Sequence, residues 1–187
     1  MHKNTALLVI DVQLAMFQSS KKKPYLGDEF LARLSKLLHA ARSVGVPVVY
    51  VQHSSKRGPF VPGKPGWAIH PEIAPHPGEP VVDKHTPDSF KNTELKSVLD
   101  ELGVHRLIIA GMQTEYCVDT TTRSAFSHDY EVVLVGDGHS TFDTAQLPAE
   151  SIVAHHNATL HAFARVATSK DILHELSELK LHSTGTH

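Results

Sequence analysis

With one cysteine in 187 residues, the chain cannot close an internal disulfide. Its fold must rest on packing, and a reducing compartment suits it. It also lacks a basic excess: 18 lysines and arginines stand against 20 acidic residues, a formal net charge of -2. No cationic surplus is left to hold a phosphate backbone, so nucleic acid is excluded as an expected partner. Long apolar runs are absent as well. The N-terminal stretch "MHKNTALLVIDV" has five uninterrupted apolar residues before Asp11, far short of a secretory leader core or a span of roughly 20 apolar residues. A soluble, cytoplasmic protein with no membrane partner is expected. What is present is 41% hydrophobic and 20% charged residues, a globular balance, and the length suits one domain over residues 1–187.

Five short runs rich in Val, Ile and Leu, bounded by polar residues or glycine, read as buried strands: "ALLVI", "VPVVYVQ", "PVVD", "RLIIAG" and "EVVLVG". A sixth, "ARVATS", is weaker. Between them, apolar residues three and four apart mark helices in "FLARLSKLLHAARSV", "TELKSVLDELG" and "VDTTTRSAFSHD". Gly45 and Gly103 stand where helix C-caps belong. Apolar strands alternating with helices predict a parallel sheet covered on both faces, a three-layer αβα sandwich. Residues 53–79 break the rhythm with six prolines, four glycines and the only tryptophan. So long a loop inside a domain is usually functional. Its prolines and the apolar anchors Phe60, Trp67 and Ile69 predict an ordered loop that walls a pocket or an interface.

In open parallel sheets, sites form beyond the carboxyl ends of strands. Asp11, Lys84 and Cys117 all fall there, Cys117 at the start of the predicted helix Val118 to Ala125. A helix N-terminus and a nearby ammonium would both lower the thiol pKa. Asp11 would then serve as general base, taking the thiol proton and passing it to a leaving nitrogen. Taken singly, a lone cysteine is more often a small buried hydrophobe and a lone Asp a cap. The conjunction of three points to chemistry.

The segments "LLVIDVQLAMF", "VVDKHTPDSF" and "IIAGMQTEYCVDTTTRSAF" resemble, in order, the three signature segments of the isochorismatase-like cysteine hydrolases. That family includes nicotinamidases, N-carbamoyl amidohydrolases and streptothricin hydrolase, and the likeness runs from about residue 5 to about residue 170. The resemblance implies a six-stranded parallel sheet and a catalytic triad of Asp11, Lys84 and Cys117. It also implies a cis peptide between Met112 and Gln113, which would turn the backbone N–H groups of Gln113 and Cys117 together as an oxyanion hole. A homo-oligomer, dimer or tetramer, is implied too.

The resemblance departs from the nicotinamidases in one place. Where those carry an Asp-x-His metal motif, this chain reads "YVQHSSKRG", and His53, His70, His76 and His85 show no ligand spacing. No metal or cofactor is therefore expected. Isochorismatases that cleave a vinyl ether tend to lack the cysteine, so Cys117 points to carbonyl chemistry. The expected activity is cleavage of an amide-type carbon–nitrogen bond in a small molecule, through a thioester. The alternatives are a metal-assisted nicotinamidase-type amidase and a non-catalytic binding protein that uses the 53–79 loop. Gln13, Phe17, Trp67 and Tyr116 are the candidate substrate-binding residues, and His139 in "DGHST" is a candidate for the same crevice or for a loop role. In "SIVAHHNATLHAFA", adjacent His155 and His156 point about 100 degrees apart on a helix and do not chelate together.

Overall fold

The computed structural model describes residues 4–18 and 22–183. All six expected strands form, as β1 (Thr5–Ile10), β2 (Val48–His53), β3 (Val81–Lys84), β4 (Arg106–Met112), β5 (Glu131–Ser140) and β6 (Arg165–Ala167). They make one all-parallel sheet in the order β3-β2-β1-β4-β5-β6. The helices are α1 (Gly27–Ser43), α2 (Leu95–Glu101), α3 (Asp119–Ser127), α4 (Ala149–Leu160) and α5 (Ser169–Ser183). Helix α5 lies beyond the helices that the sequence pattern marks. Its Ile172 and Leu176 nevertheless supply the buried stripe that an amphipathic helix requires.

Alternation along β1 shows how the layers arise. Leu7 and Val9 face one side, where α1 gives Phe30, Leu34 and Leu38, and α5 closes the layer. Ala6, Leu8 and Ile10 face the other, against Leu95 and Leu99 of α2, Ala125 of α3 and Leu160 of α4. A strand buried on both faces has no polar position to spare, which is why "ALLVI" reads as continuous apolar sequence.

The expected caps are in place. After α1, Gly45 takes φ +73°, with Val46 N–H donating to Ala41 O at 2.9 Å and Gly45 N–H to Arg42 O at 3.2 Å. After α2, Gly103 (φ +65°) repeats the pattern, with Val104 N–H on Leu99 O and Gly103 N–H on Asp100 O. Both are Schellman stops, in which glycine adopts the left-handed region without a Cβ penalty.

The order of strands fixes where a site can lie. From β1 the chain winds outward through β2 and β3, then returns to β4 on the other side of β1 and winds outward again. The crevice between the carboxyl ends of β1 and β4 is thus the switch point where open α/β sheets bind ligands. The 53–79 loop covers this end as an ordered structure with short 3₁₀ turns at Pro65–Trp67 and Pro71–Ile73. Arg42 pins its far end through a two-pronged ion pair with Glu79 (2.7 and 2.8 Å). Tyr50 Oη, which donates to Ile73 O at 2.8 Å, holds its middle.

Candidate active site

Asp11 follows β1 directly, at φ +52°. Its N–H still donates to Val51 O of β2, while its own carbonyl accepts from Gln13 N–H. The chain thus turns sharply at the strand end, and aspartate is among the few side chains that tolerate this region. Lys84 ends β3 with a side chain wholly shielded from solvent. From a strand separated from β1 by β2, its ammonium reaches Asp11 Oδ2 at 2.6 Å, Cys117 Sγ at 3.1 Å and Thr86 O at 3.0 Å. Three residues distant in sequence therefore meet around one nitrogen, whose three donors are all directed at acceptors.

The loop that carries Cys117 leaves β4 through a cis peptide between Met112 and Gln113. Just before it, Gly111 pairs with Ile10, and a Cβ on Gly111 would lie 2.2 Å from Ile10 O. Only glycine permits the two strands to approach so closely here. Cys117 does not open α3, as the sequence suggested. It lies in a single π-helical turn, Thr114–Val118, that precedes α3, and the helix expected over Val118 to Ala125 runs over Asp119–Ser127. The carbonyl of Gln113 accepts from both Tyr116 N–H (3.2 Å) and Val118 N–H (3.1 Å), closing the turn.

The electrostatics reverse one expectation. The Cys117 thiol is pushed up to about 12, not lowered: burial dominates, the Asp11 charge adds to it, and Lys84 only partly opposes. Burial likewise raises Asp11 above its ordinary value, despite the opposing Lys84 charge. For Lys84, burial favours the neutral form, yet Asp11 and Cys117 outweigh it and the net shift is upward. The resting centre is thus a buried Asp11–Lys84 ion pair beside a protonated thiol. Raising the carboxylate pKa makes Asp11 a stronger proton acceptor for that thiol.

Asp11 and Cys117 floor a cavity of about 200 Å³. Met16, Phe60 and Tyr116 form its apolar walls, with His53 and Gln113 as polar members. Of the candidate substrate contacts, Tyr116 lines this cavity. The structure places the other three elsewhere. Gln13 is fully buried as a brace: its Nε2 donates to His53 O (3.0 Å) and Trp67 O (2.8 Å), and its Oε1 accepts from His53 N–H. Trp67 turns its indole N–H to Ser54 Oγ (2.9 Å) and supports the loop from behind. Phe17 lines a separate cavity beside Lys23 and Asp28, with its ring edge-on to His70.

From sequence, His53 stands only among the histidines without ligand spacing, and Met16 carries no functional mark; both line the cavity. Met16 lies one turn beyond Asp11 in the same signature segment, which is the signal that would have found it. His53 ends β2, beside the strand that carries Asp11. Burial and the Lys84 charge lower its pKa, so it is neutral. Among the described residues no three His, Cys, Asp or Glu side chains converge as a metal site. His155 and His156 bond along their own helix instead, His156 Nδ1 to Ile152 O at 2.8 Å. His139 is not among the residues lining the cavity and lies buried against Thr114, in the loop that carries Cys117.

The comparisons with known proteins agree with this geometry. The isochorismatase domain family matches residues 5–171. Streptothricin hydrolase of Streptomyces noursei is 38% identical over 144 residues, 76% of this chain but 52% of that protein, so the chain spans about half of that relative's length. A ureidoacrylate amidohydrolase of Stutzerimonas stutzeri is 29% identical over 175 residues, covering 71% of this chain and 68% of its own. In fold, the chain matches a cysteine hydrolase from Pseudomonas syringae pv. phaseolicola 1448A with a TM-score of 0.89, at 23% identity, over 96% of this chain and 95% of that one. With the sheet, the switch-point crevice and a match across nearly the whole described chain in agreement, the protein belongs to the isochorismatase family of hydrolases.

Proposed function

We propose that the protein is a cysteine amidohydrolase that cleaves the carbon–nitrogen bond of a small amide-type substrate through a thioester on Cys117. The observation that carries this reading is the meeting of Asp11, Lys84 and Cys117 around the Lys84 ammonium, 2.6 Å from Asp11 Oδ2 and 3.1 Å from Cys117 Sγ, at the floor of an apolar pocket. A relative named as an amidohydrolase supports the bond type.

In the first half-reaction, Asp11 takes the thiol proton as Cys117 Sγ attacks the substrate carbonyl. A thiol raised to about 12 forms no standing thiolate at neutral pH, so attack and proton transfer are coupled. The carbonyl oxygen gains charge and is held by the N–H groups of Gln113 and Cys117. As the intermediate collapses, the carbon–nitrogen bond breaks and the proton on Asp11 goes to the departing nitrogen. The acyl group is left as a thioester. In the second half-reaction, Asp11 deprotonates a water that adds to the thioester carbonyl. The sulfur leaves, recovers that proton, and the free acid departs. Lys84 stays charged throughout and steadies whichever of Asp11 and Cys117 bears the negative charge.

The pocket sets the scale of the acyl group. At about 200 Å³ it is smaller than the roughly 300–1,000 Å³ of drug-sized sites. A screen of small amides, ureas and carbamates for ammonia release, with Cys117→Ala as the blank, tests the reading. Turnover by wild type that Cys117→Ala lacks is the expected result. Equal ammonia release by both proteins would overturn it.

A further inference from the structure

His139 is 3% exposed and takes no part in the pocket, yet both ring nitrogens are engaged. Nδ1 lies 2.9 Å from Thr114 Oγ1, and Nε2 lies 2.9 Å from Asn157 Oδ1 of α4. Asn157 Nδ2 in turn donates to Gly136 O at 2.9 Å. The far end of this chain fixes every hydrogen in it. A carbonyl can only accept, so Asn157 must present its NH₂ to Gly136 and its oxygen to His139. His139 Nε2 must therefore carry the proton, Nδ1 must be the acceptor, and the Thr114 hydroxyl must donate to it.

The other end of the chain meets the nucleophile loop. Thr114 is wholly buried, follows Gln113 directly and opens the π-helical turn that presents Cys117. The β4–β5 ladder sets His139 opposite Gly111 and Ser140 opposite Met112, so the imidazole sits beside the strand end from which the loop departs. Burial, the leading cause, holds the ring neutral by pulling its pKa down to about 4. The accepting form of Nδ1 thus persists through the neutral range.

We propose that Gly136, Asn157, His139 and Thr114 form a one-directional hydrogen-bond relay that positions the oxyanion-binding backbone of the nucleophile loop, with His139 as its positioning residue. The inference rests on the proposed nucleophilic role of Cys117. It extends that role by assigning work to the buried polar chain behind the loop. Because the relay ends on Thr114, beside the Gln113 N–H, its loss should impair reactions that build charge on a carbonyl oxygen. Reactions that need only the sulfur should be spared.

Two probes separate these cases. With p-nitrophenyl acetate the thiol gives its proton to Asp11 as its sulfur bonds to the acetyl carbon, the carbon–oxygen bond breaks and nitrophenolate is released, through an oxyanion. Iodoacetamide alkylates the same sulfur with loss of iodide and builds no oxyanion. Thr114→Val, which keeps the shape and removes the hydroxyl, should slow the nitrophenolate burst by at least ~10-fold, given that losing a whole donor costs about 100 to 1,000-fold. Iodoacetamide alkylation should stay within about twofold. Thr114→Ser should restore the burst, and His139→Asn, whose Oδ1 can replace the Nδ1 acceptor, should retain more of it than His139→Leu. An unchanged burst in Thr114→Val, or equal losses with both probes, would overturn the relay. A full nitrophenolate burst in Cys117→Ala would instead overturn the nucleophile assignment, so the two failures are distinguishable.

Discussion

Replacing Asp11 by Asn removes the carboxylate paired with Lys84 and leaves an ammonium, 0% exposed, with Cys117 Sγ and Thr86 O as its remaining partners among the described residues. Breaking a buried pair from one side typically costs about 3–5 kcal/mol. Lys84 can limit that cost by losing its proton. From its ordinary value of 10.5, neutralising it at pH 7 takes three and a half units at about 1.36 kcal/mol each, a ceiling near 5 kcal/mol. The ceiling falls with pH, to about 2 kcal/mol at pH 9. In the wild type, by contrast, the Lys84 pKa is raised, so its contribution is fully present below 10.5 and is lost only above that. The folded variant holds fewer protons than its unfolded chain, so its stability should rise from pH 7 to pH 9 while that of the wild type does not gain from this group. Thermal and urea unfolding of wild type, Asp11→Asn and Asp11→Asn/Lys84→Met at both pH values measures this. At pH 7 the single variant should melt roughly 6–20 °C lower. The double variant should recover at least ~2 kcal/mol of the loss, because it no longer buries an unpaired charge. A single variant as stable as wild type at pH 7, or a double variant less stable than the single, would refute the buried ion pair.

Lys84→Met should move the acid limb of kcat/KM to higher pH, because the Lys84 charge is the leading influence that lowers the Asp11 pKa; a pH–rate profile that stays in place would contradict this. Phe60→Ala should raise KM roughly 5–30-fold, for about 1–2 kcal/mol of lost apolar contact, with kcat little changed, since Phe60 offers the pocket an apolar ring with no group that can transfer a proton. Steady-state kinetics on any amide found in the screen checks both. Gly111→Ala should destabilise the fold by more than about 4 kcal/mol, because its Cβ would sit 2.2 Å from Ile10 O, backbone that cannot swing aside. Urea unfolding, or insolubility on expression, would show it.

What was legible in the sequence was whatever repeats or punctuates. The strands of "ALLVI" and "RLIIAG" announce burial on both faces, and Gly45 and Gly103 close α1 and α2 as glycine caps should. Asp11, Lys84 and Cys117 were legible because strand ends in a parallel sheet converge on one crevice. What could not be read was the direction in which each side chain points once the long loop folds back. Trp67 and Gln13 were expected in the pocket, but the loop carbonyls of His53 and Trp67 draw Gln13 into a brace, and the indole N–H turns to Ser54. The thiol pKa went the other way for a related reason. Helix position and a neighbouring lysine can be guessed from spacing, whereas burial beside an ionised Asp11 is a property of the packed site, and it prevails.

The thioester itself is the most direct test. Wild-type protein mixed with a turned-over amide, acid-quenched within milliseconds to seconds and weighed intact, should carry the mass of one acyl group. Peptide mapping should place that group on Cys117, the chain's only cysteine, and Cys117→Ala should carry none. An acyl group on another residue, or undiminished turnover by Cys117→Ala, would contradict the account.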